Sequence, residues 1–259
     1  SEPVVDVGRD ELGELARAFE RMQGRLAQLD DARRAFIANA SHELRTPLFS
    51  LGGFLELLQD EELDEETRHE FLATMAEQVV RLTKLATDLL DLSRLDAGRL
   101  RIEHEEVELG PLARLLAGEF SAVARAAGHP LEVIVEEEAV AFGDFQRALQ
   151  IGRILLENAL KHTPPETPVR VVVRAPAELA VEDEGQGIPS DQAAQVFERF
   201  TRLDGAHASG SGLGLAIARE LATLMEGSIR LKSETGLTAF TLALPVGSAT
   251  RGERVELPA

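Results

Sequence analysis

The chain contains no cysteine, which excludes disulfides and thiolate metal sites. It has no uninterrupted apolar run of about 18 residues, the length a membrane helix needs. No signal peptide opens it. Its first residue is Ser1 and not Met, so the chain is expected to be a piece of something longer. Basic residues are the minority: 27 Lys and Arg stand against 45 Asp and Glu, a formal charge of −18. Nucleic-acid affinity comes largely from cations that neutralise phosphates, and anionic lipid surfaces select for the same cations. An acidic chain without a basic stripe therefore fits neither partner. The lysines are Lys84, Lys161 and Lys232 and every other base is Arg, so Lys161 stands out by its place next to a chemical motif.

What is present is a two-part pattern. A length of 259 residues with 44% apolar residues is enough for two globular domains. In the first hundred residues, Leu15, Met22, Leu29 and Phe36 recur at sevens. Phe19, Leu26, Arg33 and Ala40 form a second row offset by four. Apart from Arg33 this is a coiled-coil or bundle seam. An acidic turn, 59–66, follows, and Asp64 or a neighbour is placed to cap the next helix. There Leu72, Val79 and Ala86 run beside Met75, Leu82 and Leu89, and Gly98 is placed to stop the helix. Two such helices cannot bury both seams alone, so the hairpin is expected to dimerise into a four-helix bundle.

From about residue 105 the pattern turns to mixed strand and helix. Strand-like runs occupy 131–135, 169–173, 179–181, 228–232 and 238–244. Helical stretches fall around 109–127, 144–162 and 212–225. Without strict alternation, these predict an α/β sandwich with a mostly antiparallel or mixed sheet. Residues 247–259 read as a tail. The fold class is thus α+β, a helical hairpin followed by an α/β sandwich.

Four stretches carry chemistry. Ser41-His42-Glu43-Leu44-Arg45-Thr46-Pro47-Leu48 lies inside the first long helix. If Ala40 faces the seam, His42 is two residues, roughly 200°, away and points outward. Arg45 and Thr46 share its face. Pro47 cannot donate to the carbonyl of Glu43, so a bend is expected there. An imidazole titrating near neutrality is a competent nucleophile. Glu157-Asn158-Ala159-Leu160-Lys161-His162 ends a helix and puts an amide oxygen, suited to Mg²⁺, on one face with an ammonium suited to phosphate. Asp183-Glu184-Gly185-Gln186-Gly187-Ile188-Pro189 follows a strand, where glycine permits close approach to a flat ligand and a carboxylate can accept from an exocyclic amine. Gly210-Ser211-Gly212-Leu213-Gly214-Leu215 opens a helix, whose start binds anions. It is not a Walker loop and does not sit in a dinucleotide-binding unit.

In this order, the four stretches resemble the sensor histidine kinases. Ser41–Leu48 is similar to the family's H-box and 157–162 to its N-box. Residues 183–189 and 210–215 are similar to its two glycine boxes, and Phe197-Glu198-Arg199-Phe200 to its F-box. Asp10–Leu15, with Phe19 and Met22, resembles the end of a HAMP linker. The resemblance implies four parts: 1–30 as HAMP end and signalling coiled coil, 31–100 as dimerisation and phosphotransfer hairpin, 105–246 as ATP-binding domain of the gyrase, Hsp90 and histidine kinase type, and 247–259 as tail.

The resemblance also implies the roles. His42 would accept phosphate from ATP, with Glu43 as general base, and Thr46 would orient water in a reverse phosphatase step on a response regulator. Asn158 would hold Mg²⁺ and Lys161 would contact phosphate. Asp183 would bind the adenine amine, with Gly185 and Gly187 as the pocket wall, and Gly212 and Gly214 would border the phosphates. His162, Arg199, Arg202 and Gly210 would complete the nucleotide site, and 202–211 would be a lid. The expected partners are a second copy of the chain and a response regulator, not nucleic acid. Membrane contact is expected only through an upstream transmembrane region, the chain being the cytoplasmic portion of an inner-membrane sensor. Three positions depart from the family pattern. Ile154 stands where relatives often carry a second Asn, His162 stands where they often carry an aromatic residue, and the lid is short, with no base but His207 between Leu203 and Ala218. A gyrase-type ATPase, which needs no exposed histidine, and a coiled-coil scaffold with a degenerate nucleotide domain are the rival readings.

Overall fold

The computed structural model describes residues 11–59, 63–202 and 210–247. The chain divides into two compact units, Ser1–Leu85 and Ala86–Ala259. Asp10, the first residue of the HAMP-like segment, and residues 203–209 of the expected lid lie outside the described residues, as do 248–259 of the expected tail.

The first unit is built on helix α1 (Glu11–Leu57) and the first part of helix α2 (Glu65–Asp96). The expected cap of α2 is there. Asp64 Oδ1 accepts from the Thr67 amide at 2.8 Å and Oδ2 from the Thr67 hydroxyl at 3.0 Å, satisfying an amide that the helix itself leaves unpaired. These bonds hold the Asp64 carboxyl below its ordinary pKa. The two arms of the hairpin pack through Phe54 and Phe71, ring centroids 5.2 Å apart. The Met75 and Leu82 row is half-buried, whereas Leu72 and Val79 stay about half exposed, at 50% and 52%. Leu15, Phe19, Met22 and Leu26 on α1 are likewise exposed. One of the two heptad rows on α2 is therefore used within the hairpin and the other is left open. Pro47 lies buried inside α1, which continues past it to Leu57.

The second unit starts with the last turns of α2, which end where Gly98 takes φ +61° and its amide donates to Leu95 O at 2.9 Å. The left-handed conformation costs glycine little and closes the helix as expected. The remaining elements are β1 (Glu105–Glu108), α3 (Leu109–Ala126), β2 (Leu131–Val135), β3 (Val140–Gly143), α4 (Phe145–His162), β4 (Val169–Arg174), β5 (Glu178–Asp183), α5 (Gly214–Leu224), β6 (Ser228–Glu234) and β7 (Leu237–Ala243). A short 3-10 turn, Gln195–Phe197, precedes α5.

The sheet runs β2-β4-β5-β7-β6. The β2–β4 pair is parallel and the other three pairs are antiparallel, so the expected mixed sheet is what forms. Helices α3, α4 and α5 pack against it. Leu112, Leu116, Ile151, Leu155, Leu156, Leu179, Ile217, Leu221 and Phe240 fill the layer between helix and sheet and are buried. Each such side chain contributes about 1.5–3 kcal/mol by leaving water.

Cross-strand ion pairs join neighbouring strands of the sheet. Arg170 bridges Glu132 and Glu184, and Arg174 bridges Glu136 and Glu182. Arg230 on β6 reaches across β7 to pair with Glu178 on β5. The sequence patterning misses the small antiparallel pair β1–β3, whose strands have four residues each. That pair also holds the chain beyond the main sheet: Val246 bridges to Ala141, and the Gly247 amide donates to Val140 O at 2.8 Å.

Candidate functional site

On α1 the histidine of interest is where helical geometry puts it. His42 is exposed and Ala40 half-buried. Around it, Ser41 Oγ donates to Ile37 O at 2.8 Å and Thr46 Oγ1 to His42 O at 3.4 Å. Glu43, next in sequence, faces the other arm of the hairpin, its Oε2 3.7 Å from Arg81 Nη2. The acid beside the imidazole is thus oriented from α2, a contact the sequence does not announce.

In the second unit, α4 is anchored at its start by buried Asp144. Its Oδ1 accepts from the Arg147 amide at 3.0 Å, and its Oδ2 from the Glu103 amide at 3.1 Å. At the other end of α4, Asn158 is half-buried and Lys161 and His162 are exposed. Lys161 comes up against the second glycine run, since a Cβ on Gly210 would collide with its Nζ. Lys161 therefore borders the loop that Gly210, Gly212 and Gly214 build, and Asn158 lies one turn earlier on α4.

Gly212 has φ +66°, and a Cβ there would lie 2.8 Å from the Phe200 carbonyl carbon and the Thr201 oxygen. The Phe200 amide donates to Gly212 O at 2.8 Å, so the backbones of the F-box-like and glycine segments are in contact, and only glycine fits. Gly214 allows α5 to approach α4, its would-be Cβ 3.2 Å from Ile154 Cγ2. The aliphatic residue at 154 thus packs α4 against α5.

Asp183 ends β5 and is buried, with 7% of its surface exposed. Its Oδ1 accepts from the Gly185 amide at 2.9 Å. Burial dominates its ionisation and raises the pKa. The Gly185 amide, the hydroxyls of Thr163 and Thr238, and a charged His162 all oppose that rise. Thr163 Oγ1 is buried and satisfies no hydrogen bond geometrically, so its influence on Asp183 is one of proximity. Gly187, at φ +80°, packs against Glu234 O, 2.6 Å from where a Cβ would be. Buried Asp183, its raised pKa, the orphan hydroxyl and the backbones of Gly185 and Gly187 gather at the end of β5, a set of groups suited to a flat, amine-bearing ring. Thr163 and Thr238 were not found from sequence. Thr163 directly follows His162 at the end of α4, which is its one local signal. Thr238 lies on β7 with none.

The structure pairs Arg199 with carboxylates. Nη1 and Nη2 reach Asp96 at 2.9 and 2.6 Å, and Nη2 reaches Glu220 at 2.6 Å. Asp96 first, then Glu220, raises its already high pKa. Arg202 is half-buried beside the undescribed segment. Among the described residues, no group of three or more His, Asp and Glu could hold a metal ion. No helix among them is long and apolar enough to cross a membrane.

Three family models match this chain: HAMP domain at residues 1–28, His Kinase A (phospho-acceptor) domain at 32–98, and histidine kinase-, DNA gyrase B- and HSP90-like ATPase at 143–248. The chain is 34% identical over 252 residues to the signal transduction histidine-protein kinase BaeS of Escherichia coli, spanning 94% of this chain and 53% of that protein. It is similar to the structure of histidine kinase ThkA in complex with response regulator TrrA, with a TM-score of 0.70, 22% identity, and coverage of 93% of this chain and 70% of that one. It is also similar to full-length ShkA in complex with AMPPNP, with a TM-score of 0.59, 28% identity, and coverage of 82% and 47%. The chain spans about half the length of BaeS, 53%, and a smaller share of longer relatives such as the hybrid signal transduction histidine kinase D of Dictyostelium discoideum, 16%.

Proposed function

This chain belongs to the sensor histidine kinases of two-component systems, and from that premise we propose that it uses ATP to phosphorylate His42 and passes the phosphoryl group to an aspartate of a response regulator. The observation that carries the reading is one chain holding both an exposed imidazole on α1 and a buried Asp183 set against the glycine segment that follows β5. A rival ATPase without a phosphoacceptor gives no reason for the first.

Magnesium, when bound with the nucleotide, neutralises phosphate charge. The residues here fit that pair through the half-buried Asn158 amide, the Lys161 ammonium against Gly210, and the orphan Thr163 hydroxyl beside Asp183. Phosphoryl transfer is mostly positioning and charge neutralisation. Asp183 accepts from the adenine amine, and Gly185 and Gly187 let the backbone flank the ring. Lys161, with the amides at the start of α5, faces the phosphates. His162, Arg202 and the loop of Gly210, Gly212 and Gly214 close the remaining sides. An imidazole nitrogen of His42 attacks the γ-phosphorus, the bond to the β-phosphate oxygen breaks, and ADP leaves with the electron pair. Glu43, oriented by Arg81, takes the ring proton. In the reverse direction Thr46 orients water for hydrolysis of the regulator's phosphoaspartate.

The open heptad rows of α1 and α2 are covered by a second copy of the chain. The protein works as the cytoplasmic portion of an inner-membrane sensor, joined to the membrane by an upstream segment. Incubation with γ-labelled ATP should give acid-labile, base-stable label, lost in His42→Ala and in Asn158→Ala. Label persisting in His42→Ala would overturn the assignment.

A further inference from the structure

The last turns of α2 make contacts that the reaction above does not use. Three carboxylates, Asp88, Asp91 and Asp96, lie along one side of the helix at spacings of three and five, around Leu92 and Leu95, which are buried at 0% and 9% exposure. Each carboxylate holds a different part of the ATP-binding fold. Asp88 Oδ2 accepts from Ser211 Oγ at 2.9 Å. Asp91 Oδ2 accepts from Gln150 Nε2 at 2.9 Å, and Gln150 in turn accepts from Arg147 at 2.9 Å. Asp96 takes both terminal nitrogens of Arg199.

The Asp88 contact is placed at an anion-binding position. Helix α5 has no acidic residue in its first turn, and Leu213 at its N-cap offers no side-chain cap. The amide of Leu213 instead donates to Ser211 Oγ at 3.3 Å, and Ser211 donates onward to Asp88. A relay thus runs from the positive end of α5 to a carboxylate on α2. That carboxylate supplies the negative charge which a polyphosphate brings to the same helix end.

We propose that Asp88 is an internal stand-in for nucleotide phosphate, and that the row Asp88, Asp91 and Asp96 is a latch that closes on the empty ATP-binding fold and opens when nucleotide loads. The proposal rests on the ATP reading of this site. Phosphate and the Asp88 carboxylate are like charges competing for one helix end, so each weakens the other, and the effect is reciprocal by linkage. Surface carboxylate contacts are individually weak, which makes the latch reversible. Opening it separates the glycine loop, α4 and the Arg199 segment from α2, and frees the ATP-binding fold to move while α2 stays in its hairpin.

The absence of cysteine allows a direct test. Asp91→Cys with Gln150→Cys places a thiol pair across the latch and leaves Asp88 and Ser211 intact. Oxidation should crosslink the empty chain, and Mg²⁺ with AMPPNP should slow crosslinking at least five-fold. In a separate Asp88→Asn variant, AMPPNP should bind about three- to ten-fold more tightly, because a competing charge is gone from the helix end. A crosslinking rate indifferent to bound AMPPNP, or an Asp88→Asn affinity equal to or weaker than the wild type, would overturn the latch alone. A wild-type chain that binds no AMPPNP would overturn the ATP reading together with the latch.

Discussion

Replacing Asp183 with Asn separates binding from stability, because the two depend on that carboxylate with opposite signs. The side chain is buried, with 7% exposed, and already spends one acceptor position on the Gly185 amide at 2.9 Å. An Asn can keep that bond through Oδ1, but then its NH₂ faces the ligand. A donor would meet the amine donor of adenine. Losing a charge-assisted hydrogen bond of this kind costs about 1.5–3 kcal/mol, a weakening of roughly 10- to 150-fold in nucleotide affinity.

Stability should move the other way. Burial raises the pKa of Asp183 above the ordinary carboxylate value, so its favourable contribution is fully present below that ordinary value and is lost as pH rises through the raised one. The wild type carries this loss at neutral pH and the uncharged amide does not. The melting temperature of Asp183→Asn relative to wild type should therefore be higher at pH 7 than at pH 4. Calorimetric titration with Mg²⁺ and AMPPNP, beside thermal melts at both pH values, measures the two effects. Wild-type affinity in the variant would refute the assignment of Asp183 to the ligand. A variant that loses binding because it melts below the assay temperature would refute the separation.

Gly212→Ala forces a side chain into φ +66° and against the Phe200 backbone at 2.8 Å. A strain of about 1–3 kcal/mol should lower the melting temperature and weaken AMPPNP binding together. Asp64→Ala should lower the melting temperature of the hairpin while Asp64→Asn, still a capping residue, stays near wild type. The folded-state pKa of Asp64 is depressed, so its contribution is present above the ordinary value and lost as pH falls through the depressed one, and the gap between wild type and Asp64→Ala should close in acid. Arg153→Met removes a two-bond pair with Glu119, both bonds 2.7 Å long, on an exposed surface. The loss in chemical denaturation should be about 0.2–1 kcal/mol and should shrink near 1 M salt, where the Debye length is about 3 Å.

Local chemistry was legible in the sequence where a short stretch determines its own structure. The Asp64 cap, the Gly98 stop and the Val-rich strand at 169–174 were readable because caps, left-handed glycines and buried strands depend on neighbours a few positions away. His42 was readable as exposed because helical geometry relates it to Ala40. The four-residue strands β1 and β3 were missed because Glu105–Glu108 and Val140–Gly143 show too few alternations to mark a period, and their pairing spans an intervening helix and strand. Thr238 approaches Asp183 only through the β5–β7 register, which pairs the two residues directly. The partners of Arg199 were hidden for the same reason, Asp96 lying on another helix. The F-box-like motif marked that arginine, and the fold adds Asp96 and Glu220 as its partners.

The bond from the Phe200 amide to Gly212 O has a consequence for chain length. It fastens both ends of the 201–211 segment at the base, so the entropy of bringing those ends together is settled at the pinch and not at the glycine loop. Doubling the number of residues between such fixed ends costs only about 0.6 kcal/mol. Residues added between these two fixed points should therefore leave the positions of Gly212 and Gly214 as they are.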